Sequence, residues 1–288
     1  MRKLFSKKKK PNELLALMDA IKADPDNPEA HSALAQAYSR RNRHYAAHAV
    51  MRSAATLDAT VENPFQAIPA VEHLSLDHNK YYRFRTLQRT LQDLAGDLPE
   101  WSFLDVGGGD GQLASFLPEA GYFLAEPIAN GLDSNSLPFE GESFDFVVCC
   151  HVLEHIPKAA RDDFLDGLMS HAKKALVLLN PFDMGTSAKE EGMELFVEYA
   201  NAGWAKEHLE CLMPKTEDVE AWAGSRNYDV TVQANGTAPV TFLSEMFNVF
   251  SKNVDRGRIN TFLNTHYVDG VDSETLPNGY LLVISRRA

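Results

Sequence analysis

Cysteine and long apolar runs are scarce in this chain of 288 residues. Cys149 and Cys150 are adjacent in an apolar stretch, and Cys211 stands alone. The three cysteines form neither a disulfide framework nor a C-x-x-C metal motif, and this favours a reducing compartment. No apolar run approaches the roughly 20 residues that a membrane-spanning helix needs. We therefore expect a cytoplasmic protein without integral membrane contact.

Basic charge is also scarce, since the formal net charge is −12. A duplex nucleic-acid partner requires a basic face, so we predict that nucleic acid is not bound. The lysine run at residues 7–10 is an exception. No apolar segment follows it, so it is not a secretory signal. We predict a solvated tail, with weak attraction to an anionic membrane surface as the alternative.

Residues 12–60 have the alanine-rich, helix-spaced pattern of several short helices, with a break at residues 24–28. The pattern resembles one tetratricopeptide repeat of 34 residues, and its positions are His31, Leu34, Ala35, Tyr38, Ala47, Met51, Ala54 and Leu57. So short an array cannot cover its own core, and we expect it to dock on the rest of the chain or on another chain. With a proline-containing linker at residues 61–75, we predict two domains, 1–75 and 76–288.

A glycine-rich segment at residues 107–111 follows an apolar, strand-like stretch at residues 101–106 and precedes a helical pattern. A phosphate-binding P-loop would end in Gly-Lys-Ser/Thr, which is missing here. A dinucleotide fingerprint, G-x-G-x-x-G, would need glycine where Gln112 stands. Asp105 at the end of the strand disfavours a pyrophosphate and favours a cationic or hydrogen-bond-donating ligand.

The pattern D-x-G-x-G-x-G resembles the first motif of class I S-adenosylmethionine-dependent methyltransferases. The resemblance implies an α/β, Rossmann-like sheet of seven strands with the last strand antiparallel, here preceded by the helical segment. It also implies S-adenosylmethionine as the cofactor. The matching positions, predicted to bind it, are Asp105, Gly107, Gly109 and Gly111. A glycine-rich turn without a ligand is the alternative.

Further matches follow in chain order. Glu126 ends a second strand at residues 122–125 and can accept hydrogen bonds from both ribose hydroxyls of a nucleoside. By the resemblance, Asp133 would accept from the adenine amino group and Ser134 would lie beside it. The spacing between Glu126 and Asp133 leaves no room for the usual helix and full third strand, which narrows the sheet at that edge.

The apolar fourth strand, at residues 144–150, leads into the sequence Cys-His-Val-Leu-Glu-His. This sequence resembles a frequent family form, which implies that Cys150 lies near the reactive methyl group. His151 and His155 are the candidate bases, since histidine titrates near neutral pH. With Glu154 they also form H-x-x-E-H, the inverted order of a zinc motif. No distal ligand is apparent, so we predict no metal.

The remaining predicted strands are at residues 175–179, 228–232 and 280–285. Helical insertions are predicted at about residues 183–226 and 239–268. The first contains His208, a candidate for contact with the substrate or for packing. The second is aromatic and can cover an active site or form a dimer surface.

The sequence thus predicts a methyltransferase that acts on an oxygen or nitrogen of a small-molecule or glycan-type acceptor. Asn/Asp-Pro-Pro-Tyr/Phe is absent after the fourth strand, and this argues against amino-methylation of DNA bases. One alternative is an interaction protein, in which the N-terminal helices bind a protein partner or a second copy and the methyltransferase fold is not catalytic. A nicotinamide enzyme is a further alternative, disfavoured by Gln112.

Overall fold

The computed structural model describes residues 12–183, 185 and 187–287, so the lysine run lies outside the described residues. The α-helices are α1 (Glu13–Ala23), α2 (Pro28–Ser39), α3 (His44–Leu57), α4 (Ala70–His73), α5 (His78–Ala95), α6 (Arg161–Ser170), α7 (Ala188–Ala200), α8 (Gly203–Cys211), α9 (Thr216–Ser225), α10 (Ala238–Phe250) and α11 (Asn253–His266). The strands are β1 (Ser102–Val106), β2 (Gly121–Ala125), β3 (Phe144–Cys150), β4 (Ala172–Asn180), β5 (Tyr228–Asn235) and β6 (Gly279–Arg286).

The strands form one sheet in the order β2-β1-β3-β4-β6-β5. β2, β1, β3 and β4 pair in parallel, and β6 is antiparallel to both β4 and β5. The apolar runs of β1, β3 and β4 are buried, as expected of parallel strands covered on both faces. The predicted Rossmann-like α/β sheet with an antiparallel last strand is therefore confirmed.

The prediction of seven strands was wrong, because the described chain has six. Residues 126–143 contain no strand and instead fold back over the end of β2. The Asn130 side chain holds them there: its Nδ2 donates to Leu124 O at 2.5 Å, and its Oδ1 accepts from Glu126 N at 3.0 Å. The segment forms turns and a loop here in place of the usual helix and third strand.

Helix α3 covers the edge of β2 that the missing strand leaves free. Ser53 Oγ accepts from Leu124 N at 3.0 Å, and Thr56 Oγ1 donates to Tyr122 O at 2.8 Å. Both backbone groups point away from β1, which pairs with the opposite edge of β2. Unpaired strand edges attract other chains, and covering one with a helix is a known way to protect it. Helix α3 therefore substitutes for a strand at this edge.

The helix predicted after the glycine segment is only a short 3-10 segment, Gln112–Phe116. Helix α3 packs directly against it, and Arg52 donates from its guanidinium to the carbonyls of Ala114, Leu117 and Ala120. These contacts satisfy carbonyl groups that a longer helix would have paired internally.

The N-terminal helices and the sheet share one hydrophobic core, which includes Ile21, Leu34 and Val50 as well as Phe103 and Val147. In the region predicted as a linker lies the short helix α4, and α5 leads into β1. Helices α7 to α9 and helices α10 and α11 lie where the two insertions were predicted. Among the described residues, no helix is long and apolar enough to cross a membrane.

Candidate active site

The glycine segment after β1 forms a tight turn. Gly107, Gly109 and Gly111 have φ angles of 73°, 58° and 66°, a region that glycine occupies without strain. At Gly111 an added Cβ would lie 2.2 Å from the Cβ of Ala49. At Gly109 an added Cβ would meet no described atom within 4 Å. The turn is therefore packed against α3 at Gly111 and open at Gly109.

Glu126 lies beside the open part of this turn. Its Oε2 accepts from Gly109 N at 3.0 Å and its Oε1 accepts from Ile128 N at 3.0 Å. The residue is largely buried, with 9% of its surface exposed. A carboxylate has about four acceptor positions, so two backbone hydrogen bonds leave capacity for a ligand hydroxyl.

Asp105 lies beneath the glycine turn and is 1% exposed. Its Oδ2 accepts from the Tyr122 hydroxyl at 3.0 Å, and an added Cβ at Gly108 would lie 2.3 Å from the same oxygen. Burial raises the pKa of Asp105 to about 7, although the Tyr122 hydrogen bond lowers it. The carboxyl group thus packs against Gly108 and leaves no room for a side chain there.

Asp133 and Ser134 lie in the loop that follows the β2 turn. The Asp133 Oδ1 accepts from Asn135 N at 2.9 Å, its backbone N–H donates to Ser136 Oγ at 2.8 Å, and the residue is exposed. Ser134 is partly exposed. The Asp133 carboxylate is accessible to a ligand. Among the described residues, no hydrogen bond joins Asp133 to Glu126.

The segment after β3 lies between the glycine turn and a cavity. Cys150 ends the strand, and His151 adopts a φ of 56°, an uncommon value for a residue other than glycine. Val152 packs on the glycine turn, since an added Cβ at Gly107 would lie 2.2 Å from its Cγ2. His151 lines a cavity. Two consecutive side chains therefore connect the glycine turn with that cavity.

Three histidines surround Glu154 at the cavity. His151 Nδ1 lies 3.3 Å and His208 Nε2 lies 3.8 Å from Glu154 Oε1, and the Nε2 atoms of His155 and His208 are 3.3 Å apart. Glu154 Oε2 accepts from Asn180 Nδ2 at 2.6 Å. Burial lowers the pKa of His151 to about 4, so its imidazole is uncharged near neutral pH.

The cavity has a volume of about 800 Å³ and lies between the carboxyl ends of β3 and β4 and the inserted helices. Its wall includes three aromatic side chains, Phe196, Trp204 and Phe242, and three basic side chains, Lys80, Arg83 and Lys189. Lys189 Nζ donates to Phe182 O at 2.8 Å, and burial lowers its pKa to about 8. The cavity is large enough for a small organic molecule.

A family model described as a methyltransferase domain matches residues 79–231, which is more than half of the chain. The chain belongs to this methyltransferase family. With the sheet and the glycine turn described above, it is a class I S-adenosylmethionine-dependent methyltransferase, and S-adenosylmethionine is its cofactor.

Solved structures similar to this methyltransferase include a SAM-dependent methyltransferase from Archaeoglobus fulgidus, at 14% identity and a TM-score of 0.43, with 71% of this chain and 93% of that chain covered. Magnesium protoporphyrin IX methyltransferase from Synechocystis PCC 6803 with bound SAH is similar at 14% identity and a TM-score of 0.44, with 96% of this chain and 100% of that chain covered. No curated protein matched the chain.

The residues at the glycine turn fit the cofactor of the methyltransferase. Gly109 leaves open space beside the backbone, and the carboxylate that would accept the ribose hydroxyls, Glu126, borders that space. Val152 and His151 then extend from the turn to the cavity. The glycine turn and the cavity are thus adjacent.

Several residues of the methyltransferase site were not predicted from the sequence. Lys189 and Trp204 lie in an insertion that matches no motif, and Arg83 lies on α5. Asn180 ends β4, and its hydrogen bond to Glu154 joins positions 26 residues apart. The polar residue at the end of β4 was the one available signal, because ligands of such sheets lie at these strand ends.

Proposed function

We propose that this methyltransferase transfers a methyl group to an oxygen or nitrogen of a small-molecule or glycan-type acceptor held in the 800 Å³ cavity. The observation that carries the proposal is the position of His151, which lines the cavity and directly precedes the residue packed on the glycine turn. Aromatic side chains in the wall suit a ring-shaped acceptor, and a volume of about 800 Å³ suits a small molecule or part of a glycan.

Four groups of residues would hold the cofactor in this proposal. The turn formed by Gly107, Gly109 and Gly111 would lie against its amino-acid part, with Asp105 supporting the turn from below. Glu126 would accept from the ribose hydroxyls. Asp133 and Ser134 would lie near the adenine, and Cys150 near the methyl group. These assignments combine the family resemblance with the open space at Gly109 and the exposed Asp133 carboxylate.

His151 and His155 are the proposed catalytic residues. When bound, S-adenosylmethionine supplies an electrophilic methyl group, and the protein mainly aligns the acceptor with it. The transfer would break the sulfur–methyl bond and leave S-adenosylhomocysteine. An acceptor hydroxyl would lose its proton as the new bond to carbon forms, and an ammonium group would lose a proton beforehand, because attack needs a free lone pair. An imidazole nitrogen at the cavity wall can take that proton. An acceptor that is already a carboxylate would need no base.

Cofactor binding is tested by calorimetry with S-adenosylhomocysteine. We expect the wild-type protein to bind it, and Glu126→Gln to weaken binding at least tenfold because one carboxylate acceptor of the ribose hydroxyls is lost. Glu140→Gln is the matched control, an exposed glutamate in the neighbouring loop. Equal affinities for all three proteins would refute the assignment of Glu126.

Acceptor class is tested by incubating the protein with methyl-labelled cofactor and a cell extract, followed by separation by size. We expect label in the small-molecule or glycan fraction, and loss of labelling in His151→Ala. Label found only in the protein or nucleic-acid fraction would refute the proposed acceptor class. A protein partner for the N-terminal helices stays a prediction.

A further inference from the structure

Glu154, His155 and His208 form a compact cluster at the wall of the cavity, which we name the His-Glu cluster. One possible ligand atom from each of the three lies within 4.8 Å of the others. Glu154 and His155 come from the segment after β3, and His208 comes from α8, 53 residues further along the chain. The fold therefore brings a distal histidine to Glu154 and His155, whereas His151, the first histidine of the H-x-x-E-H sequence, is not part of the cluster.

The carboxylate of the His-Glu cluster has an unused acceptor. Glu154 is 0% exposed, and its Oε1 has no hydrogen-bond partner among the described residues, whereas its Oε2 is bound by Asn180. A buried carboxylate oxygen without a partner is costly, and such groups are paired or coordinate metals. This oxygen lies 3.3 Å from His151 Nδ1 and 3.8 Å from His208 Nε2, and it forms a hydrogen bond with neither.

The two imidazoles are arranged as metal ligands commonly are. His155 Nδ1 lies 3.0 Å from Glu207 Oε2, so its Nε2 is the nitrogen turned toward the cluster. A carboxylate behind a ligating histidine fixes the orientation of the ring and raises its basicity. The Nδ1 of His208 is buried without a partner in the described chain, so a simple hydrogen-bonding role leaves this ring half satisfied.

The distances agree with coordination to one ion. Bonds of about 2.0–2.1 Å in a tetrahedral site place neighbouring ligand atoms about 3.3–3.4 Å apart. The His155 and His208 Nε2 atoms are 3.3 Å apart, Glu154 Oε1 lies 3.8 Å from His208 Nε2, and one ligand atom of each residue lies within 4.8 Å of the others, so side-chain movements of about 1 Å would close the site. Two histidines and one glutamate are a known ligand set for Zn²⁺ with one open position.

We propose that the His-Glu cluster binds a divalent transition-metal ion of the Zn²⁺ class, with its open coordination position facing the cavity. This departs from the sequence prediction of no metal, because α8 brings in His208. If the proposed methyl transfer is correct, the ion would hold an oxygen of the acceptor and His155 would be a ligand. His151 would then be the remaining base.

Metal binding is tested on the full-length protein after chelator treatment and in the absence of cofactor and acceptor. We expect one Zn²⁺ per chain by calorimetry, and intense visible absorption on adding Co²⁺, which is typical of a tetrahedral site. His208→Ala and Glu154→Gln should each weaken Zn²⁺ binding at least tenfold and abolish the tetrahedral Co²⁺ spectrum. Circular dichroism establishes that the variants remain folded.

His44→Ala is the matched control, because His44 is an exposed histidine at the start of α3 and does not line the cavity. It should bind Zn²⁺ like the wild type. The proposal is overturned if the wild type binds no Zn²⁺, or if His208→Ala binds as tightly as His44→Ala. The assay contains neither cofactor nor acceptor, so a lack of Zn²⁺ binding would not contradict the proposed methyl transfer. Likewise, a lack of methyl transfer would not contradict Zn²⁺ binding.

Discussion

Asp105 is a carboxyl group buried under the glycine turn, with the Tyr122 hydroxyl as its hydrogen-bond donor. Its pKa is about 7, compared with 3.8 for the ordinary carboxyl group. Between these two pH values the folded protein holds a proton that the unfolded chain has released. The free energy of unfolding therefore falls as pH rises from about 4 to 7.

Asp105→Asn should remove this pH dependence, because asparagine carries no proton to release. Relative to the wild type, we expect the variant to gain on the order of 4 kcal/mol of stability between pH 4 and pH 8. Urea unfolding of the cofactor-free proteins at several pH values measures it. Tyr122→Phe, which removes a hydrogen bond that lowers the pKa, should move the transition to higher pH. A stability difference that stays constant with pH would contradict this account.

Gly111 combines a positive φ with the absence of room for a methyl group. Gly111→Ala should destabilise the protein by roughly 2–4 kcal/mol, from left-handed backbone strain and from overpacking against Ala49. Gly167→Ala in α6 is the control, because no described atom lies within 4 Å of an added Cβ there. It should be neutral or stabilising by up to about 1 kcal/mol. Thermal denaturation distinguishes the two, and similar effects would refute the packing argument.

Helix α3 is the element on which the outer edge of the sheet depends. It supplies the two side-chain hydrogen bonds to the free edge of β2 and the Cβ that packs on Gly111. The predicted resemblance to a tetratricopeptide repeat remains a prediction, but one face of this helix pair is occupied by the sheet.

Ser53→Ala should leave the buried N–H of Leu124 without an acceptor and cost about 1–3 kcal/mol. Thr265→Ala on α11 is the control, because it removes an exposed hydroxyl that donates only within its own helix. It should change stability by less than about 0.5 kcal/mol. Chemical denaturation measures both variants. Equal effects would show that α3 does not protect the strand edge.

At the scale of the whole molecule, the N-terminal helices and the sheet share one hydrophobic core. Removal of residues 1–60 would expose the apolar face of the sheet and the edge of β2. The division into domains at residue 75 remains a proposal, because the packing joins both sides of that boundary.

Deletion of residues 1–60 should therefore give an aggregating or unfolded chain that has lost binding of S-adenosylhomocysteine. Circular dichroism, size-exclusion chromatography and calorimetry measure this outcome. Deletion of residues 1–10 is the control and should retain binding. A soluble, active 61–288 chain that loses only a protein partner would contradict this prediction and support an adaptor role for the helices.

The sequence by itself determined the features that depend on neighbours in the chain. The alternation of an apolar strand, spaced glycines and a following acid identified β1, the turn and Glu126, because each needs only local backbone and residue type. The apolar runs of β3 and β4 likewise predicted buried strands. The short spacing between Glu126 and Asp133 also indicated that the third strand was incomplete.

Only the tertiary structure decided the features that join distant positions. Ser53 pairs with Leu124 across 71 residues, and His208 meets His155 across 53. No periodicity or motif encodes such contacts, because they arise when helices pack on a sheet whose position is set by the entire core. The missing strand, its replacement by α3 and the His-Glu cluster all belong to this class.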